Sequence, residues 1–119
     1  MNQNPYLVGL ELVQKNCGTS GQTALAKCIL SIYNSQHPFS IGEVLWPLDD
    51  KYTAVVLAMV SEYAKNGETP ELLRAGKYVY ENFPHLIELS SAMSDARAGV
   101  RKEWERQHME EMQRLYPDE

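Results

Sequence analysis

A chain of 119 residues with 44% hydrophobic and 23% charged content has the size of one domain, is too apolar for a disordered chain, and can bury roughly two-thirds of the surface its unfolded form exposes. Its net charge of −5 is repelled by a phosphate backbone, which favours a basic stripe, so nucleic acid is an unfavoured partner. The acidity lies towards the C-terminus: residues 1–48 are balanced, 49–83 sum to −2 and 84–119 to −3.

Asn4 followed by Pro5 reads as an N-cap with proline at the first helical position, and Leu7, Leu10 and Val13 form an apolar stripe, so a helix is predicted over about 5–16. The stretch Asn16-Cys17-Gly18-Thr19-Ser20-Gly21-Gln22-Thr23 then makes a polar corner. Gly18 can take the left-handed conformation that closes one helix, and Thr19 or Ser20 can cap the next. Leu25, Cys28, Ile29, Ile32 and Tyr33 give the second helix its apolar face, and it should stop near Gln36 because Pro38 disfavours helix at His37.

Ser40-Ile41-Gly42-Glu43 fits a capping box and opens a short helix ended by Pro47. Asp49 can cap the next helix, where Tyr52, Val55, Val56, Met59, Val60 and Tyr63 form the most regular stripe of the chain, ended by Asn66-Gly67. This helix is the expected centre of the core. Thr69-Pro70 starts another, with Leu72, Leu73, Gly76, Val79, Tyr80 and Phe83 inward, up to Pro84. From His85 to Tyr116 a long helix follows, in which Ser90, Ser91, Ser94 and Gly99 weaken the middle and leave a break near 90–94 open. No stretch alternates with period two beside hairpin turn residues, so the expected fold is all-α: a single helical bundle of five to six helices over residues 1–119, with 88–119 a C-terminal extension.

No run approaches the ~18 apolar residues of a membrane span, and Met1 to Pro5 lacks the pattern of a signal peptide. The cytoplasm is therefore the expected compartment, with no membrane partner. Cys17 and Cys28, both near helical segments, read as reduced thiols rather than a disulfide framework.

Residues 7–87 resemble an uncharacterised family of short bacterial proteins frequent on mobile elements. The resemblance lies in Gly18-Thr19-x-Gly21-Gln22-Thr23, in Leu30-x-x-Tyr33-Asn34, and in Phe39-x-Ile41-x-x-x-Leu45-Trp46-x-Leu48-Asp49. It implies no activity and no catalytic residue. It implies a setting, plasmid or prophage cargo, in which small acidic helical proteins bind host or defence-system proteins, as anti-CRISPR proteins do.

The candidate chemistry is sparse. The backbone donors of the Gly18–Thr23 corner suit an anion at a helix start, as a ligand-binding or enzymatic domain would use them, but a phosphate loop needs a preceding strand and a lysine that are missing. Gly18, Thr19, Ser20 and Gly21 are accordingly expected to be structural. Glu105 and His108 have Glu-x-x-His spacing in one copy only, where a di-iron bundle needs two and further glutamates. No cofactor or metal is expected, and no catalytic residue. The segment 40–66 has the outline of a helix-turn-helix DNA regulator, yet its second helix begins Asp49, Asp50, Lys51 where base and phosphate contacts favour Arg, Lys, Asn or Gln.

Seven tyrosines and two tryptophans are the residue types that enrich at protein contacts. Met93, Ala96, Val100 and Trp104 continue a stripe into the extension, whereas residues 101–111 hold seven charged residues against two apolar ones. The inner half should dock and the outer half project, with Glu110 and Arg114 placed as an i, i+4 pair. Arg97, Arg101, Trp104, His108 and Met112 are the candidate partner-binding residues, for a protein target or for a homodimer through this helix. The expected function is that of a non-enzymatic protein-binding module.

Overall fold

Most helices begin where the sequence supplies a side-chain acceptor for the unpaired N–H groups of a first turn. In the computed structural model, which describes residues 3–117, six helices occur: α1 (Pro5–Lys15), α2 (Ser20–Tyr33), α3 (Ile41–Leu45), α4 (Asp50–Asn66), α5 (Pro70–Asn82) and α6 (Pro84–Leu115), with no strand among the described residues. Asn4 Oδ1 accepts from the Tyr6 amide at 2.9 Å, Asp49 Oδ1 from Tyr52 at 2.9 Å, and Thr69 Oγ1 from Leu72 at 3.3 Å. Ser40 and Glu43 close the capping box reciprocally, at 3.1 and 2.9 Å. Each such cap stabilises its helix by about 1 kcal/mol. Asn16, Asn34 and Gly67 close α1, α2 and α4, and Gly67, at φ +63, does so in a backbone region that favours glycine. α2 ends at Tyr33, short of the expected Gln36, because Asn34 turns extended and its side chain accepts from the Gln36 amide at 2.9 Å.

The centre of the core is α2, not α4. α2 packs against α1, α3, α4 and α5, and buries Ala24, Leu25, Ala26, Cys28, Ile29 and Leu30. α4 buries only Val56 and Met59, and leaves Leu57, Val60 and Tyr63 exposed. Its regular stripe faces an edge of the body. In α5 the inward set is Leu72, Ala75, Gly76 and Val79, while Leu73 and Tyr80 face outward. α5 comes close to α2 at Gly76, where the Tyr33 ring occupies the space a Cβ would need. Tyr6, fully buried, places its hydroxyl 3.4 Å from the Gly67 carbonyl and so ties α1 to the α4–α5 turn. The half-buried Lys27 bonds Glu43 at 3.2 Å and lies 5.7 Å from the centre of the Phe39 ring, joining α2 to α3.

α6 is one continuous helix of 32 residues, with no break at 90–94. The serines that weaken its helix propensity serve as its docking groups instead. The Ser90 hydroxyl is fully buried, lies 2.8 Å from His37 Nδ1 and donates to the Ile87 carbonyl at 3.1 Å. Ser94 donates to the Gln36 carbonyl. Leu86, buried, and Met93, half-buried, complete the docked half, and α6 touches α5 over a short contact. Beyond Ser94 every described residue is exposed. The free half gives the molecule extents of 67 × 30 × 25 Å and a radius of gyration of 18.5 Å, against roughly 13–14 Å for a compact chain of this length.

Candidate functional site

The corner after α1 is built from its backbone outward. Gly18 has φ +79, and its amide donates to Gln22 Oε1 at 2.9 Å. Gln22 Nε2 reaches back to the Val13 carbonyl at 2.7 Å, the Gln22 amide donates to Thr19 Oγ1 at 3.1 Å, and the Thr19 hydroxyl donates to the Asn16 carbonyl at 2.9 Å. Gln22 thus stitches both helix ends together. Its signal was present in the sequence, since Thr19-Ser20-Gly21-Gln22 has the spacing of a capping box. Gly21 has a different duty: a Cβ there would stand 2.8 Å from the Tyr52 ring, which lies against the start of α2. A shallow cleft runs between Thr19, Ser20, Gly21, Pro47, Leu48, Asp49 and Tyr52. Its charged side chain is a carboxylate, which repels an anion. The would-be DNA-reading end of α4 is this same acidic turn, with Tyr52 laid on Gly21.

Among the described residues no group of three or more His, Cys, Asp or Glu side chains is placed to hold a metal ion, and no buried side-chain polar atom lacks a partner. Both cysteines are free. Burial pushes the Cys28 thiol up to about 12, so it stays protonated and packs as a small apolar group. No described helix is long and apolar enough to cross a membrane.

The outer half of α6 is different. At about 100° per residue, Arg97, Arg101, Trp104, His108 and Met112 fall within one narrow arc, and Leu86, Ser90 and Met93 of the docked half lie on the same side. The face that holds α6 to the body therefore runs on past Ser94 with nothing covering it. Trp104 is 63% exposed, and Val100, Met109, Met112, Leu115 and Tyr116 are exposed with it. Arg97, Val100, Arg101 and Trp104 line one shallow groove along this face, and Arg101, Trp104, Glu105 and His108 line the next.

The opposite side is closed by its own ion pairs. Arg106 bonds both Glu103 and Glu110, which holds the Glu103 carboxyl below the usual carboxylate range and raises the Arg106 guanidinium. Glu110 is thus engaged one turn earlier than expected, with Arg106 rather than Arg114. Exposed pairs of this kind each stabilise a helix only slightly, and the two that share the Arg106 guanidinium support a helix that has no core beneath it. Arg97, Arg101, Glu105 and Glu111 form no ion pair among the described residues.

The structure brings the five candidate residues of α6 onto one face, and none of the corner residues lines its grooves. Two features escaped the sequence reading. Trp46, at the end of α3, is 88% exposed, more than any other large apolar residue described, and Ile41 stands exposed on the same short helix. His37 is buried against the edge of Tyr80, 6.1 Å between ring centres, and burial lowers its pKa. No family model, no curated protein and no solved structure matches this chain.

Proposed function

We propose that the protein is a non-enzymatic protein-binding module whose contact surface is the outer half of α6. One observation carries this reading: an apolar and basic stripe, centred on Trp104, continues the docked face of α6 into a segment where every described side chain is exposed. Isolated helices of this length are marginal in water, and exposed Trp, Met and Arg on one face are the composition of an interface rather than of a solvated helix. A helix laid into a partner's groove through residues spaced i, i+4, i+7 and i+11 is a recurring recognition mode.

The resemblance over residues 7–87 sets the class of target to test first: a host protein or a component of an anti-phage defence system, met in the cytoplasm and inhibited in the manner of an anti-CRISPR protein. The test is retention of a protein from bacterial lysate by the immobilised full chain, repeated with Trp104→Ala and Trp46→Ala. The expected result is a partner retained by the wild type and by Trp46→Ala and lost with Trp104→Ala, the circular dichroism of all three being unchanged. A partner retained equally by Trp104→Ala would contradict the assignment of the surface.

A further inference from the structure

We infer that the outer half of α6 pairs antiparallel with α6 of a second copy of this chain, an inference that rests on the proposed role of this helix face. The argument is charge complementarity and length. Residues 95–102 carry Arg97, Arg101 and Lys102 against Asp95, whereas residues 103–115 carry Glu103, Glu105, Glu110 and Glu111 against Arg106 and Arg114. The helix is therefore basic towards the body and acidic towards its tip. A parallel pair would set like charge beside like charge, which is unfavourable, whereas an antiparallel pair sets the basic end of each helix beside the acidic end of the other.

The charges available for this are the ones left free. Glu103, Arg106 and Glu110 satisfy one another on the far side, while Arg97, Arg101, Glu105 and Glu111 form no ion pair among the described residues. Length gives a midpoint within one residue of the one the charges give. The uncovered stretch runs from Asp95 to Leu115, so its midpoint is Glu105, and the midpoint between Arg97 and Glu111 is Trp104. A twofold axis beside Trp104 places Arg97 opposite Glu111 of the second copy, Val100 opposite its His108 and Arg101 opposite its Gln107, so the Arg97–Glu111 pair, formed twice by symmetry, carries the complementarity. It also overlaps the two free stretches over nearly their whole length and keeps the bodies at opposite ends. His108, Met112 and Leu115 repeat Arg97, Arg101 and Trp104 at a spacing of eleven residues, which winds the seam gently to the right where a heptad repeat would wind it to the left.

The contact strip is roughly 31 Å long and about 10 Å wide, below the ~800 Å² that each partner of a standard interface buries. Association is therefore weak, and weakened further by salt.

Sedimentation equilibrium of the full chain, from micromolar to near-millimolar concentration, tests this with two charge variants. Wild type should form dimers. Arg97→Glu should raise the dissociation constant by about tenfold without changing the circular dichroism. Adding Glu111→Lys in the same chain restores the complementarity with signs exchanged and should recover the dimer. A wild type that stays monomeric throughout overturns the inference, yet leaves the helix face as a target surface, which the Trp104→Ala retention assay decides separately. Unchanged association of the first variant, as a parallel pair would show, also overturns it. So does a loss that the exchanged variant fails to recover.

Discussion

Ser90 is a polar residue without solvent contact, and its hydroxyl is shared between the Ile87 carbonyl and His37 Nδ1. Ser90→Ala would leave the buried His37 Nδ1 without its hydrogen-bond partner, and an expected loss of about 1–3 kcal/mol is measurable by urea denaturation. The same pair sets a pH dependence. Burial lowers the His37 pKa from its ordinary 6.5, so between the folded and unfolded values the unfolded chain binds more protons. The stabilisation from neutral His37 is complete above about pH 6.5 and is lost as pH falls from there through the lowered folded-state value. Urea midpoints on either side of that value should show this fall, and His37→Gln should flatten it. Glu43, held below its ordinary value chiefly by the Ser40 amide, adds stability lost only at lower pH, beneath 4.5. Among the glycines, Gly76→Ala is expected to cost roughly 1–3 kcal/mol, since the added carbon meets the Tyr33 ring. A thermal melt unchanged by that substitution would contradict the close contact of α2 and α5.

At the scale of the element, the sequence was most legible where local chemistry acts alone. Asn4, Ser40, Asp49 and Thr69 cap the helices they precede, and Gly18, Gly67 and Pro84 stand where one helix gives way to the next. Periodicity was a poorer guide to which face meets which neighbour. The Val60 and Tyr63 stripe of α4 is as regular as any, yet a hydrophobic period reports that a face exists and not how many helices surround it. The continuity of α6 was illegible for a related reason: Ser90 and Ser94 are poor helix formers, and their hydrogen-bond partners, His37 and Gln36, lie more than fifty residues away. Trp46 carries no periodic signal at all, being a single residue after a helix of five. Gly99 remains a local weakness in the free half of α6, with no atom within 4 Å of an added Cβ. Gly99→Ala should therefore stabilise that half by about 0.5–1 kcal/mol, read as reduced amide hydrogen exchange over the residues around it.

For the whole molecule, the division is between a body held by α2 and a helix that leaves it. Tyr6, Leu25, Ile29, Met59, Leu72 and Val79 are buried without any help from residues past Ser94, so the body has no need of the free half for its stability. The five candidate residues Arg97, Arg101, Trp104, His108 and Met112 could be placed together from spacing alone, because a continuous helix keeps i, i+4, i+7, i+11 and i+15 on one side. A contact with a second chain has no local signature in one sequence. The most direct measurement compares the full chain with one ending at Ser94, by circular dichroism, sedimentation and partner retention together. The expected result is a truncated chain whose body melts within a few degrees of the full protein, at roughly the effect of a sub-kcal/mol change, but which is monomeric and retains no partner. A truncated chain that keeps both its mass state and its partner would contradict the assignment of function to the outer half of α6.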